Sequence, residues 1–223
     1  MKLSGLEKRF LGAVGLISLL CIGLFVVRVA ATHTSHYWFL VQNLGLAWLP
    51  LIFVWLLRDE LKRRRWLSWQ CLSLTLLWVV FLPNTWYVLT DFLHVQPTGE
   101  INQLYDIVMV SSLVLAGFVL GFTSLYLMHK ELLKKFRVRT AHTAVLAILL
   151  LSSFAIYLGR DLRWNSWDVI TNPSGLILNV SDRVVDPFGY HHAFNVTGLF
   201  FVLLTITYLA IWLLLRPLKN PKP

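Results

Sequence analysis

Apolar residues run in six nearly uninterrupted blocks, at 10–31, 37–57, 67–89, 107–128, 142–158 and 193–215, divided by short polar connections. Each block has about 17 to 23 residues, enough to cross a hydrocarbon core of about 30 Å as a helix rising about 1.5 Å per residue. The pattern predicts an all-α fold, a polytopic membrane bundle of six transmembrane helices in a single domain over 1–223. Between the fifth and sixth blocks lies the longest connection, 159–192. In it Asn172-Pro173 reads as a helix start, Leu176, Ile177, Val180 and Val184 recur at helical spacing, and Pro187 ends the run. This predicts a short amphipathic helix on the outer membrane surface, either covering the bundle mouth or acting as a lid over a site.

Composition excludes the soluble alternatives. Of 223 residues 57% are hydrophobic and only 14% charged, with 10 Trp and a mean hydropathy of +0.66, which is too apolar for a soluble enzyme, a disordered chain or a secreted disulfide scaffold. The net charge of +9 is a topological signal. Lys2, Lys8, Arg9, Arg58, Lys62, Arg63, Arg64, Arg65, Lys130, Lys134, Lys135, Arg137, Arg139, Arg216, Lys219 and Lys222 fall on one side, leaving Arg160, Arg163 and Arg183 on the other and Arg28 inside the first span. The positive-inside rule then puts both termini in the cytoplasm, in agreement with an even number of spans. Acidic residues show the reverse bias: Asp91, Glu100, Asp106, Asp161, Asp168, Asp182 and Asp186 are outward, and Glu7, Asp59, Glu60 and Glu131 inward. The basic runs are juxtamembrane and suited to anionic lipid headgroups, not to nucleic acid. The first span has the basic start of a signal peptide but too long an apolar stretch, and is expected to be a retained anchor. Cys21 and Cys71 fall inside spans, so no disulfide framework is implied.

Polar residues gather at the outward ends. After Pro83 in the third span, Asn84, Tyr87, Asp91 and His94 share one helical face if the helix resumes beyond a kink, and such a stripe should turn away from lipid. After the fifth span, Asp161, Asn165 and Asp168 share a face beside Arg160, Arg163 and Trp167. Two arginines there are shaped for bidentate contact with phosphate or carboxylate oxygens; the alternative is that they pair with Asp91, Asp161 or Asp168 to tie the spans together. Arg28 can snorkel outward or pair with an outward carboxylate. Asp91, His94 and Asp106 with His191 or His192 are chemically suited to a divalent metal, although the spacing matches no ligand motif. There is no GxSxG elbow and no P-loop. Ser111, Ser112 and Ser124 accompany the small-residue pair Gly117 and Gly121, which points to close helix packing, within the bundle or across a dimer.

The runs Leu82-Pro83-Asn84, Tyr87, Leu89-Thr90-Asp91 and His94, the pair Tyr105-Asp106, and Gly159-Arg160 followed by Arg163-Trp164-Asn165-Ser166-Trp167-Asp168 resemble the signature blocks of a bacterial membrane family named domain of unknown function 1361. The resemblance extends from about the second span to the sixth. It implies an integral protein of a bacterial cytoplasmic membrane and brings no activity, substrate or cofactor with it.

From the residues, the leading expectation is an extracytoplasmic site that binds, and hydrolyses or transfers, an anionic lipid or lipid-linked envelope precursor. Asp91, His94, Asp106 and Asp168 are its candidate catalytic residues, with His94 as general base; Arg160, Arg163, Asn84, Tyr87 and Asn165 are the candidate anion-binding residues. A non-enzymatic scaffold or assembly partner and a small-solute transporter are the alternatives. Protein partners are not legible in the sequence, and uncharged mid-spans disfavour alternating access.

Overall fold

A computed structural model describes residues 5–97, 99, 101–186 and 189–215. Of the residues invoked above, Lys2, Glu100, Pro187, Arg216, Lys219 and Lys222 lie outside the described residues, as do the side chains of Glu7 and Val184. Among the described residues there are helices and no strands. They are α1 (Gly5–Thr32), α2 (Phe39–Glu60), α3 (Trp69–Phe81), α4 (Asn84–Tyr87), a 3₁₀ segment Val88–His94, α5 (Gln103–Lys135), α6 (Val138–Asp161), α7 (Asp168–Thr171), α8 (Pro173–Val185) and α9 (His191–Leu214). Six stretches are long and apolar enough to cross a membrane: Lys8–Thr32, Phe39–Glu60, Trp69–His94, Gln103–Lys135, Val138–Asp161 and His191–Leu214. The chain is thus an all-helical, multi-pass membrane protein with the six spans its apolar blocks predict.

The packing divides into two compact units, 1–127 and 128–223. In the first, α2 packs along α3. Cys21 of α1, Tyr37, Leu40 and Leu44 near the start of α2, Val88, and Met109, Leu113 and Ala116 of α5 form one buried cluster. Pro83 breaks the third span as expected, since a proline gives no N–H to the helical ladder. Beyond it the chain makes one α-turn and then winds as a 3₁₀ helix. This segment lies against the glycines of α5: a Cβ added at Gly117 would come within 2.7 Å of Val88 Cγ2, and one at Gly121 within 2.8 Å of Trp86 Nε1. The small-residue pair is therefore used inside the first unit. Of the three serines, Ser124 joins α5 to the third span by a side-chain hydrogen bond, and the other two bond within α5. Ser111 and Ser112 donate to the carbonyls of Ile107 and Met109, and Ser124 Oγ accepts from Trp78 Nε1 at 2.7 Å.

In the second unit α6 packs along α9. Tyr157, Leu158 and Ala193 form a small core where α6 ends and α9 begins, and Leu176 and Val180 of α8 pack onto it. The expected start of α8 is present. Asn172 Oδ1 accepts from Gly175 N at 3.2 Å, and Pro173 occupies the first helical position. Ile177, in the same apolar series, is 63% exposed. An N-cap carboxamide satisfies an otherwise orphaned backbone donor. Asn172→Ala is expected to cost about 1 kcal/mol, concentrated in α8. Hydrogen exchange of the amides of Leu176 through Val180 checks this, and unchanged protection would contradict it.

At the opposite end of the same unit His129, buried, bonds Tyr208 Oη through Nδ1 at 2.8 Å, stacks on Trp212 with ring centroids 4.2 Å apart, and meets the His142 ring edge-on at 4.8 Å. The basic connections carry local ion pairs, Lys62 with Asp59 and Arg64 with Glu60 on α2, and Lys134 with Glu131 on α5.

Candidate functional site

In the first unit the polar residues meet where α1 ends, α2 begins, the third span ends and α5 begins. Arg28 is fully buried. Its Nε donates to Asp106 Oδ1 at 2.7 Å and its Nη2 reaches Oδ2 at 3.4 Å. Nη1 donates to Thr34 Oγ1 at 3.3 Å, and the guanidinium lies 4.5 Å from the centre of the Tyr37 ring. Of the two expectations for Arg28, pairing and not snorkelling is what the fold uses. Asp106, a candidate catalytic residue, is equally buried and is held as the counter-ion of Arg28. Burial, and then the neighbouring Asp106 carboxylate, push the Tyr37 phenol above its ordinary pKa, so it remains a protonated donor and reaches the His94 carbonyl at 3.4 Å.

The third-span stripe divides along its length. Asp91 is buried and its Oδ2 accepts from Asn43 Nδ2 at 2.9 Å, whereas His94 is exposed with its ring 5.1 Å from that of Phe39, and Asn84 and Tyr87 are half-buried. In a 3₁₀ helix residues three apart eclipse one another, so Asp91 and His94 point the same way. They differ in burial all the same, with His94 exposed as the last residue of the segment. Asn43 and Tyr37 were not anticipated as members of this cluster; Asn43, a carboxamide six residues into the second apolar block, is the signal the sequence offered.

In the second unit the expected carboxylates are engaged locally. Asp168 Oδ2 accepts from Asn165 N at 2.7 Å and its Oδ1 from Thr171 Oγ1 at 3.1 Å, which makes Asp168 and Asn165 a turn that opens α7. Asp161 Oδ1 is 3.0 Å from His192 Nε2. Arg160 is half-buried and Arg163 exposed, and among the described residues neither has an ion-pair partner. Arg163 has φ 58°, in the left-handed region, where α6 ends, and Trp164 N returns to the Leu158 carbonyl at 3.2 Å. A non-glycine residue held there costs about 1 kcal/mol or more.

Sequence reasoning missed Arg183. It is buried, with Nε donating to Tyr157 Oη at 3.2 Å and Nη1 donating to the Asn179 carbonyl at 2.7 Å and to Asn179 Oδ1 at 3.2 Å; the guanidinium lies 4.7 Å from the centre of the Tyr190 ring. The legible signal was the Asn179–Arg183 spacing of one helical turn. Among the described residues no three His, Cys, Asp or Glu side chains gather so as to hold a metal ion.

A family model described as a protein of unknown function (DUF1361) matches residues 42–212. Neither a curated protein nor a solved structure matches the chain.

Proposed function

We propose, for a chain that belongs to the DUF1361 family of unknown function, that it binds an anionic lipid headgroup or the phosphate of a lipid-linked precursor where α6 ends, on the extracytoplasmic face of a bacterial cytoplasmic membrane. The orientation follows from the asymmetry of its Lys and Arg residues. The observation that carries the reading is Arg163: its backbone sits in a conformation that glycine would take at no cost, and its guanidinium has no carboxylate among the described residues. Arg160, three residues earlier, likewise has no ion-pair partner among the described residues, while Asp161 and Asp168 are taken up by His192 and by the α7 turn. Two guanidiniums are thus offered there without a carboxylate partner among the described residues, and the planar donor fork of a guanidinium suits a tetrahedral phosphate. Binding is favoured over hydrolysis or transfer, because Asp91, Asp106 and Asp168 are all held in hydrogen bonds that position backbone and helices. His94, the expected general base, is exposed at the end of the 3₁₀ segment.

The test uses two directions of effect at once. Arg163→Gly relieves the left-handed strain and is expected to raise stability by about 1 kcal/mol while weakening binding of phosphatidylglycerol severalfold. Thermal unfolding in detergent and lipid retention in native mass spectrometry read the two quantities. A variant that binds as well as the wild type would defeat the proposal.

A second reading, a non-enzymatic membrane scaffold, draws on the buried Arg28–Asp106 pair, which joins two spans 78 residues apart. It differs in placing the polar residues in the service of stability alone.

A further inference from the structure

Arg183 is buried in the second unit, 8% exposed, and among the described residues its hydrogen bonds and its ring contact are all with neutral groups. A guanidinium withdrawn from water without a carboxylate is expensive, and an anion that completes its shell recovers that cost. Nε and Nη1 are occupied; Nη2 makes no hydrogen bond among the described residues. Tyr157 Oη accepts from Nε, which leaves the phenolic proton of a side chain only 5% exposed without an acceptor there. Two strong donors, one of them charged, are therefore left beside each other under α8.

We propose that Arg183 Nη2 and Tyr157 Oη form a specific site for one phosphate group, roofed by α8. Asn179 and Tyr190 hold the guanidinium in place, the first through two hydrogen bonds to Nη1 and the second through its ring face. Among the described residues no carboxylate, Asp182 included, forms an ion pair with Arg183. Asp161 is bonded to His192, and Asp186 Oδ1 accepts from Gly189 N at 2.8 Å. Ile177 and Leu178, 63% and 64% exposed on α8, supply apolar surface beside which the acyl chains of a phospholipid fit. A phosphodiester headgroup and free inorganic phosphate share the chemistry that this site recognises. The inference rests on the reading that an anionic headgroup reaches this end of the unit, and it names the group that holds it.

The experiment measures binding of dihexanoyl phosphatidylglycerol, dihexanoyl phosphatidylcholine and inorganic phosphate to the full chain in a neutral detergent, by native mass spectrometry. Phosphatidylglycerol is expected to bind the wild type in preference to phosphatidylcholine. Arg183→Gln is expected to lose at least about tenfold in affinity, as loss of a charge-assisted contact implies. Tyr157→Phe, which keeps the ring in its core and removes only the hydroxyl, is expected to lose severalfold while remaining folded, so that a folding defect in Arg183→Gln does not decide the matter. Inorganic phosphate bound as tightly as phosphatidylglycerol, and lost in the same variants, supports the site and identifies the free ion as its ligand. Undiminished binding in Arg183→Gln and Tyr157→Phe, with loss in Arg160→Gln and Arg163→Gln, overturns this site and leaves the headgroup reading standing. A wild type that binds neither phosphatidylglycerol preferentially nor phosphate overturns both.

Discussion

Replacing Arg28 by alanine is expected to cost about 3–5 kcal/mol, the largest loss of any single substitution in the chain. The cause is the residue left behind. Asp106 is buried to 1% exposure and its two oxygens take Nε and Nη2 of Arg28. Without the guanidinium its carboxylate must lie unpaired in the interior, take up a proton, or draw water between the helices. Asp106→Ala is expected to cost a similar amount, because it removes the carboxylate that Arg28 Nε and Nη2 bond in the interior. The double replacement Arg28→Met with Asp106→Leu removes both charges and is expected to recover most of the loss, since desolvating an ion pair consumes much of its attraction. Unfolding midpoints of the four proteins in one detergent check this. Additive losses in the double variant would show that the pair does not act as a unit.

Gly121→Val is expected to lower stability by about 3 kcal/mol, at the upper end of the range for overpacking. Even a methyl group there would stand 2.8 Å from Thr85 Cβ and from Trp86 Nε1. Thr85 and Trp86 are fully buried and follow directly on the Pro83 kink, so neither can retreat into free space. Gly117→Val meets Val88 Cγ2 at 2.7 Å and is expected to behave alike. Gly45→Ala on α2 is the internal control. Nothing lies within 4 Å of the added carbon, and the gain in helix propensity is expected to stabilise the chain by about 0.5–1 kcal/mol. Unfolding in the same detergent ranks the three. If Gly121→Val and Gly45→Ala moved together, close approach of α5 to the kinked segment would not be the reason for the glycine pair.

The six spans were legible because each is a run of apolar residues with a length set by the bilayer, a property that needs no tertiary knowledge. The Pro83 break was equally local. What followed it was not, since whether a kinked helix resumes with α or 3₁₀ winding is settled by what it packs on, here the bare backbone of α5 at Gly117 and Gly121. Arg28 shows the same limit. Its burial depth was readable from its place in the span, but its partner is 78 residues away, and a choice between snorkelling and pairing depends on which helices adjoin. Asp168 and Asn165 were read as facing a site because helical phase was continued past Leu162; the chain instead turns left-handed at Arg163, and the phase is lost there. Arg183 escaped notice because its partners, Tyr157 and Tyr190, lie on other elements.

The 3₁₀ winding of Val88–His94 also changes how the third span measures the bilayer. Seven residues climbing about 2.0 Å each, instead of about 1.5 Å, carry the chain about 3.5 Å further along the membrane normal than an α-helix of the same sequence. The third span, Trp69–His94, already has 26 residues, more than four of the other five, and the winding lengthens it further, so that His94 at its end stands further out than α winding would place it.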